Sequence, residues 1–354
     1  MPNPAALKPK TVSVIIPTLN EEKTIGLALE ALSRQTIPPL ELIVVDNGSQ
    51  DETKGVVESF IERTPILNAI LLIEPKKGPS AARNTGIRKA RGEILAFLDA
   101  DAVPNDDWIE CLLTLFDPSF SGVGGPCLGF LPGHFMERYF TAVQKSNYRA
   151  HELSQEMDLR MNFLLGGNCA FRREALLEMG GFDETLTTSE DMELCQRLLS
   201  RRKRLYFDPS LAIRHASDLS ILARLKRNFQ AGVVQVKVLK HHFPKGVTLC
   251  GGGFFRSLKY ATGAPFSAMM DPFSITKVLF FLFLAGLFSP YVSIPLWGGL
   301  IGLVAWRIHA VYRKAEMSYS LLEFLLVFIF WFLERICLDL GRLSGSLRYG
   351  VLYF

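Results

Sequence analysis

The sequence predicts an α/β fold in its first hundred residues, followed by a membrane-associated C-terminal region. Four short apolar runs, at residues 12–16, 41–45, 69–73 and 93–98, have the length and composition of buried strands. Helical patterns separate these runs, and a strand–helix alternation of this kind predicts a mostly parallel sheet covered by helices. Beyond residue 274 the chain is strongly apolar, which is the observation behind the predicted C-terminal region.

Local signals place the helices between these strands. Asn20 is suited to cap a helix that runs to about residue 34. Ser49 and Glu52 have the spacing of a capping box, which predicts the start of the second helix. The third helix is expected over residues 80–90. Further along, the patterns predict helices over residues 173–179, 189–202 and 217–242 and a short strand over residues 211–215.

Composition argues against several classes of protein. The 354-residue chain has 49% hydrophobic residues and a formal net charge of +4, and so mild a charge does not indicate a nucleic-acid binder. Its mean hydropathy of +0.20 is high for a fully soluble protein. None of the six cysteines forms a C-x-x-C pair, which argues against a zinc site or a secreted disulfide framework. Residues 1–10 lack the apolar core of a cleavable signal peptide, so we expect the N-terminal domain to stay in the cytoplasm.

The C-terminal region has the composition of a membrane segment. Residues 274–292 are nearly uncharged, and two further apolar stretches cover residues 295–306 and 321–333. About 20 apolar residues span a bilayer, so we expect a hairpin of two spans and then a third span or an interfacial helix. Basic residues follow the second stretch, and the positive-inside rule then places the N-terminal domain on the cytoplasmic side of the inner cell membrane. The alternative, core helices of a soluble protein, is disfavoured by the high aromatic content.

Four regions follow from these patterns. They are a tail over residues 1–10, an α/β domain over residues 11–217, an amphipathic, basic and interfacial linker over residues 218–273, and a transmembrane or membrane-associated region over residues 274–354. Basic residues cluster at positions 201–204 and 224–242. These clusters either face anionic headgroups or a lipid-linked pyrophosphate, or they form a solvated surface.

Asp99 and Asp101 form the candidate site with the clearest chemistry. They stand one residue apart at the carboxyl end of the fourth predicted strand, where a buried unpaired charge would be costly. A divalent cation removes that cost, and Mg²⁺ or Mn²⁺ prefers carboxylate oxygens together with substrate phosphates. Ligands of parallel sheets bind beyond the carboxyl ends of the strands, so Thr18 and Asp46 are expected in the same cleft.

Five sequence blocks resemble motifs of the family 2 glycosyltransferases with the GT-A fold. In chain order they are SVIIPTLNEE (residues 13–22), LIVVDNGSQD (42–51), GPSAARNTG (78–86), LAFLDAD (95–101) and the acidic pair Glu190–Asp191. Together they cover roughly residues 12–216, in the order and spacing of that family. The resemblance implies a GT-A domain, the Rossmann-like fold of nucleotide-diphospho-sugar transferases. The membrane tail lies outside the resemblance, although many members carry one.

The resemblance also implies roles for residues on the donor side of the site. It makes Asp101 a metal ligand, gives Asp99 a contact to the ribose or to a metal-bound water, and makes His215 a further metal contact. Asp46 matches the residue that hydrogen-bonds the base, and Arg83 is placed to hold phosphate together with a helix N-terminus. The residues expected to line the nucleoside pocket are Pro17, Thr18 and Glu21.

Five of these donor-side residues also have a simpler structural interpretation. Asp46 stands in the sequence D-N-G-S, which favours a turn. Thr18 and Glu21 are suited to cap the first helix. Arg83 is compatible with a surface position, and a lone histidine such as His215 is more often structural than a ligand.

Asp191 is the expected general base on the acceptor side, with Glu190 in support. The pair follows the segments G-G-N (residues 166–168) and G-G-F-D (residues 180–183), as in the family. The alternative is a helix cap, because acidic residues are favoured in the first turn of a helix. Processive members carry Q-x-x-R-W after the acidic pair, whereas here Gln196 is followed by R-L-L-S. We therefore expect one sugar to be added per acceptor.

The expected activity is the inverting transfer of one sugar from a UDP- or GDP-linked donor to a hydroxyl of a glycan. The glycan is expected to be lipid-linked, in envelope or exopolysaccharide biosynthesis, and the cofactor to be Mg²⁺ or Mn²⁺. Two alternatives stay open. Direct transfer to polyprenyl phosphate needs no strong base, and a non-catalytic membrane scaffold predicts no metal-dependent donor binding. Nucleotidyl transfer is disfavoured, since the strand ends lack a G-x-x-x-x-G-K loop.

Overall fold

The chain folds into two compact units. A computed structural model describes residues 11–129, 135–147, 151–153, 163–215, 220–242, 246–249, 259–260, 267–270 and 290–353. The first unit comprises Met1–Phe130, Tyr148–Gln155 and Phe163–Ser217, and the second comprises Leu131–Asn147, Glu156–Asn162 and Asp218–Phe354. The chain therefore leaves the first unit twice, contributes a segment to the second each time, and returns to the first before completing the second.

Strands of the first unit form two sheets. In chain order they are β1 (Val12–Thr18), β2 (Glu41–Asp46), β3 (Ala69–Ile73), β4 (Ile94–Leu98), β5 (Ala102–Pro104), β6 (Phe120–Gly124), β7 (Cys127–Gly129), β8 (His151–Glu152), β9 (Asn168–Arg172), β10 (Arg204–Phe207) and β11 (Ile213–His215). Within the described residues, the larger sheet has the order β3–β2–β1–β4–β9–β6–β10–β8, and the smaller one has the order β5–β11–β7.

Helices cover the larger sheet of the first unit. They are α1 (Ile25–Ser33), α2 (Thr53–Arg63), α3 (Pro79–Lys89), α4 (Trp108–Leu115), α6 (Arg173–Met179) and α7 (Glu190–Ser200), while α5 belongs to the second unit. Because both faces of the sheet are covered, its strands are apolar at consecutive positions. In β1, for example, Val14 and Ile16 belong to one core and Ile15 belongs to the other.

Half of the larger sheet has the predicted parallel arrangement. β1 to β4 lie side by side and parallel, and their register pairs Thr18 with Asp46. Beyond β4, the strand β9 runs antiparallel to both β4 and β6 and sets Asn168 opposite Leu98. The sheet as a whole is therefore mixed. An apolar run shows that a strand is buried but does not encode its direction.

The loops after β1 and β2 differ from the predicted helix starts. Asn20 adopts a φ of 59°, and α1 begins only at Ile25, with Thr24 as its N-cap residue. The predicted capping box of Ser49 and Glu52 is wrong, since neither side chain caps α2. Ser49 Oγ instead accepts the backbone N–H of Asn20 at 2.9 Å. The two loops thus bond to each other across the strand ends.

Elements of the second unit come from separate parts of the chain. Its helices are α5 (Phe135–Asn147), α8 (Ile221–His242), α9 (Pro290–Lys314) and α10 (Leu321–Tyr349). Its strands, β12 (Gly246–Leu249), β13 (Lys259–Tyr260), β14 (Ser267–Met270) and β15 (Leu352–Tyr353), form a sheet in the order β13–β12–β14–β15. The segment predicted as a linker, residues 218–273, supplies α8 and the first three of these strands. Residues 135–147, predicted within the α/β domain, supply α5.

Glycines allow α8 and α10 to pack closely against each other. A Cβ atom on Gly341 would collide with the carbonyl oxygen of Phe229, and one on Gly232 would collide with that of Leu338. Backbone atoms rather than flexible side chains occupy this space. The close approach of the two helices therefore depends on these residues lacking side chains.

Two helices of the second unit, α9 and α10, include apolar stretches that were predicted to cross a membrane. Among the described helices, none combines the length and the apolar character that a crossing requires. In α10, Glu323 and Glu334 each lie 3.0 Å from an arginine nitrogen. Spans over residues 295–306 and 321–333 are therefore not supported. Residues 274–289, most of the first predicted span, lie outside the described part of the chain.

Candidate active site

Polar residues of the first unit gather at the carboxyl ends of three neighbouring strands. Thr18 ends β1, Asp46 ends β2, and Asp99 and Asp101 follow β4 directly. Because these strands are parallel and adjacent, the sheet itself brings the residues to one edge. The strand order therefore accounts for this grouping.

Asp99, Asp101 and His215 form a group that could hold a cation. Ligand atoms of the three side chains all lie within 4.8 Å of one another. His215 Nε2 is 3.1 Å from Asp101 Oδ1 and 3.5 Å from Asp99 Oδ2. The histidine arrives on β11, whose antiparallel pairing with β5 sets His215 opposite Ala102. The smaller sheet thus delivers the residue that the resemblance assigned to the metal.

Electrostatics of this group are consistent with a bound divalent cation. Burial, together with the nearby carboxylates of Asp99 and Glu21, raises the pKa of Asp101 to about 6. Burial also acts to raise the pKa of Asp99, but the hydrogen bond from His215 and the charge of Arg83 outweigh it and lower that pKa to about 2. Two carboxylates and an imidazole are ligands that Mg²⁺ and Mn²⁺ accept. The residues present therefore fit the ion.

Arg83, on α3, bonds to two carboxylates from distant parts of the chain. Its side chain is 5% exposed. Nη2 donates to Asp99 Oδ1 at 3.0 Å, and Nη1 donates to Glu190 Oε1 at 2.5 Å. The guanidinium carbon also lies 5.5 Å from the ring centroid of Phe182. Arg83 is thus a buried bridge between the residue that follows β4 and the residue that begins α7, and it is not a surface arginine.

Asp191, the expected general base, lies in the first turn of α7. Its Oδ2 accepts the backbone N–H of Gly166 at 2.9 Å, and its Oδ1 accepts that of Met192 at 2.8 Å. Burial and the adjacent Glu190 raise the pKa of Asp191 to about 7, against the opposing charge of Arg83. A carboxylate with a pKa near 7 is suited to accept a proton at neutral pH.

Two glycines before β9 let the backbone approach the carboxylates. A Cβ atom on Gly167 would overlap Asp99 Oδ2 and lie 2.6 Å from its Cγ. A Cβ atom on Gly166 would lie 3.1 Å from Arg83 Nη2 and 3.4 Å from the Cβ of Asp191. In the sequence these glycines were only landmarks for the acidic pair. Their contacts with the site depend on long-range packing that their spacing does not reveal.

Asn168 supports the site and was not predicted as a functional residue. Its side chain is fully buried. Nδ2 donates to the carbonyl oxygens of Pro126 at 3.0 Å and Leu211 at 2.6 Å, while Oδ1 accepts the indole N–H of Trp108 at 3.0 Å. Asn168 therefore ties α4, the loop at Pro126 and the short helical turn at Leu211 to the start of β9. The available sequence signal was an amide directly before an apolar strand.

Residues expected around the nucleoside are placed at the end of β1 and in the loop that follows. Pro17 is half-buried, and Glu21 Oε2 accepts the hydroxyl of Thr24 at 2.7 Å. Thr18 Oγ1 is buried and lacks a hydrogen-bond partner within the described residues. A buried hydroxyl without a partner is costly, so Thr18 is a candidate contact for a ligand.

Asp46 has a structural role in its own loop. Its carboxylate is fully buried and accepts the backbone N–H groups of Gly48 at 3.0 Å and Ser49 at 3.2 Å. This is the turn interaction that the D-N-G-S sequence favours. Contact between Asp46 and the base of a nucleotide stays a prediction.

The fold and the site together define the class of the protein, which is a transferase with the GT-A fold of nucleotide-sugar enzymes. The family model "Glycosyl transferase family 2" matches residues 13–180. Glycosyltransferase AglE of Haloferax volcanii is 32% identical over 230 residues, which cover 64% of this chain and 73% of AglE. The chain therefore belongs to glycosyltransferase family 2.

Two further similarities extend the comparison. The Campylobacter jejuni GalNAc(5)-diNAcBac-PP-undecaprenol beta-1,3-glucosyltransferase is 28% identical over 179 residues, covering 51% of this chain and 57% of that enzyme. A solved structure, mannosyltransferase PcManGT from Pyrobaculum calidifontis in complex with GDP-Man and Mn²⁺, matches with a TM-score of 0.57 and 20% identity, covering 96% of this chain and 88% of PcManGT. The structural match supports the fold.

Proposed function

We propose that this protein transfers one sugar, with inversion, from a nucleotide-diphosphate sugar to a hydroxyl of a lipid-linked glycan. The observation that carries the proposal is the Arg83 bridge, which joins a candidate cation group to Glu190, the residue beside the Asp191 carboxylate of raised pKa. A donor with a diphosphate leaving group needs a cation that stabilises the charge on that group, and an acceptor hydroxyl needs a carboxylate that accepts its proton. The processive motif Q-x-x-R-W is absent after the acidic pair, which favours a single transfer.

Residues at the ends of β1, β2 and β4 would bind the donor. Asp99, Asp101 and His215 would hold Mg²⁺ or Mn²⁺, which supplies Lewis-acid stabilisation of the diphosphate when bound. Thr18 would offer to the nucleoside its hydroxyl, which has no hydrogen-bond partner in the described part of the chain. PcManGT was solved in complex with GDP-Man and Mn²⁺, which supports the choice of cation and of donor class.

Asp191 would remove the proton from the acceptor. The hydroxyl oxygen attacks the anomeric carbon while the bond from that carbon to the phosphate oxygen breaks. The nucleoside diphosphate leaves with the electron pair of that bond, and the hydroxyl proton moves to the carboxylate of Asp191. One displacement of this kind inverts the configuration at the anomeric carbon.

A lipid-linked acceptor and attachment to the inner membrane, with the first unit cytoplasmic, belong to the same proposal. The undecaprenol-linked substrate in the name of the Campylobacter relative supports the acceptor class. Residues 274–292 form a nearly uncharged stretch in the sequence. Large apolar side chains of α9 and α10, including Trp306, Leu322 and Ile329, are exposed, which supports contact with lipid. Envelope or exopolysaccharide biosynthesis is the corresponding biological role.

Direct transfer to polyprenyl phosphate is the second candidate function. A phosphate acceptor is already anionic and needs no strong base. The raised pKa of Asp191, which burial and Glu190 produce, favours a hydroxyl acceptor over this alternative. A non-catalytic scaffold would have no use for either the cation group or the Asp191 carboxylate of raised pKa.

Release of nucleoside diphosphate from a panel of UDP- and GDP-sugars tests the proposal. Membranes carrying the wild-type protein, Asp101→Ala or Asp191→Asn would be assayed with Mg²⁺, Mn²⁺ or EDTA in the presence of a lipid extract. We expect metal-dependent turnover of one donor, reduced about 100-fold or more in both variants. Turnover that survives in Asp191→Asn but not in Asp101→Ala would support the polyprenyl-phosphate acceptor. Absence of metal-dependent donor binding would support the scaffold.

A further inference from the structure

We infer that Arg83 is a positioning residue for the transfer, which fixes the donor-side carboxylate relative to the acceptor-side helix, and that it is not a ligand of the donor phosphates. This inference rests on the proposed function. Its first support is the partners of the side chain, since the terminal nitrogens bond to Asp99 and Glu190. Asp99 belongs to the candidate cation group, and Glu190 adjoins Asp191, the candidate base.

A guanidinium is suited to this bridging role. Its planar fork holds two carboxylates at fixed directions, whereas a lysine ammonium is a point charge on a flexible stem. The two carboxylates are 16 and 107 residues from Arg83 in the sequence, so no local element holds them at a set separation. The bridge supplies that constraint directly.

Neighbouring contacts also restrain the bridge. Asn84, the next residue of α3, donates Nδ2 to the carbonyl oxygen of Phe182 at 2.9 Å and accepts the N–H of Phe182 at Oδ1 at 2.8 Å. The ring of Phe182 in turn lies beneath the Arg83 guanidinium. Two consecutive residues of α3 thus hold both ends of the segment that leads into α7. A side chain held in this way is unsuited to reorient towards a substrate phosphate.

The assignment predicts a specific split between binding and turnover. Asp99 and Asp191 would keep their own backbone contacts without Arg83, but the separation between donor and acceptor would be relaxed. Misplacing reacting groups by about 1 Å can cost on the order of 100-fold in rate. If Arg83 were instead a ligand of the donor phosphates, its replacement would weaken binding of the nucleoside diphosphate itself. Arg83 Nε is buried without a partner in the described residues, so the test must include a direct measurement of that binding.

Arg83→Lys and Arg83→Gln test the inference, with Arg172→Lys and Arg172→Gln as matched controls. Arg172 donates to the carbonyl oxygens of Phe120 and Asp117 and lies over the Phe116 ring, at the opposite end of β9 from the site. Dissociation constants for UDP and GDP with Mn²⁺ would be measured by calorimetry, and turnover with the sugar nucleotide that the wild type uses.

Both Arg83 variants should lose about 100-fold in turnover, while the dissociation constant of the nucleoside diphosphate changes less than about threefold. The Arg172 variants should keep both values. A dissociation constant that rises in step with the loss of turnover would assign Arg83 to the phosphates and overturn the inference. Full turnover in Arg83→Lys would also overturn it, because charge alone would then suffice.

Amide hydrogen exchange separates this inference from the proposed function. In Arg83→Gln, exchange should rise at the Gly166 amide and across residues 182–192, relative to the wild type and to Arg172→Gln. Unchanged exchange in these segments would overturn the positioning role even if the wild type transferred sugar. If the wild type released no nucleoside diphosphate from any donor, the proposed function would fail, and the exchange result would still decide whether Arg83 positions these segments.

Discussion

Asp99 and Asp191 are half-buried carboxylates of one site whose pKa values are displaced in opposite directions. The pKa of Asp99 falls to about 2, because His215 and Arg83 outweigh the effect of burial. The pKa of Asp191 rises to about 7, because burial is reinforced by the carboxylate of Glu190. Opposite displacements of this kind separate a residue that stays ionised from one that can exchange a proton.

Turnover should therefore depend on the protonation of Asp191. A base must be deprotonated to accept a proton, so at saturating Mn²⁺ we expect kcat to rise with pH through an apparent pKa near the value of about 7 for Asp191. In Glu190→Gln the like charge is removed, which lowers the pKa of Asp191 and moves the rise of kcat to lower pH. The measurement is a pH profile of nucleoside diphosphate release for both proteins.

Glu193→Gln is the matched control for this profile. Glu193 is also buried on α7, but it pairs with Arg197 at 2.6 Å, and residues two apart on a helix do not face each other, so Glu193 does not face Asp191. Replacing Glu193 with glutamine should leave the rise of kcat at the same pH as in the wild type. If kcat of Glu190→Gln rose at the same pH as that of the wild type, the assignment of Asp191 as the titrating base would be contradicted.

At the scale of elements, the segment before β9 is as important to the site as the strands that carry the acidic residues. Gly167 lies against Asp99, and Gly166 donates its N–H to Asp191. In Gly167→Ala the new methyl group would displace the Asp99 side chain. We expect the affinity for Mn²⁺ to fall about tenfold or more, since an ion of this kind tolerates little change in ligand geometry. Calorimetric titration with Mn²⁺ measures this effect.

Gly26→Ala provides the control for an added methyl group. Its Cβ would meet only Val56 at 3.7 Å, which is ordinary contact, and an alanine within α1 is favoured over glycine by about 1 kcal/mol. This variant should bind Mn²⁺ normally and unfold at the same or a higher temperature. Normal Mn²⁺ binding by Gly167→Ala would show that Asp99 is not required at its observed position.

The limits of prediction also lie at this scale. The bounds of β3 and α6 match those expected from the sequence pattern, and Gly180, in a left-handed conformation, ends α6. Ser49 was misassigned as a helix cap, since its true partner is Asn20, 29 residues away. The Arg83 bridge could not be predicted for the same reason. Local patterns find the elements and the acidic residues, but contacts between distant loops decide how those residues are paired.

On the scale of the whole molecule, the second unit depends on the close packing of α8 and α10. Gly341→Ala would push its new methyl group into the backbone of α8 at Phe229. We expect this overpacking to lower the free energy of unfolding by about 1–3 kcal/mol. Thermal unfolding followed by calorimetry would measure the loss, and Mn²⁺ binding to the first unit should be retained.

Gly302→Ala in α9 is the control for that prediction. Within the described residues, no atom outside the backbone of α9 itself lies within 4 Å of the position of its added Cβ, so the substitution should leave the unfolding temperature unchanged or slightly raised. Equal unfolding temperatures for Gly341→Ala and the wild type would show that α8 and α10 can separate without cost.

The route of the chain between the two units has a consequence for how the protein is made and trimmed. α5 is translated long before α9 and α10, against which its Tyr139 and Ala142 are buried, and its Arg138 pairs with Glu323, which lies 185 residues later. During synthesis the apolar face of α5 has no partner from α9 or α10 until the end of the chain has been translated. An expression fragment that stops after the first unit would keep that face permanently exposed. A soluble minimal enzyme would therefore require replacement of the apolar residues of α5 as well as removal of the C-terminal region.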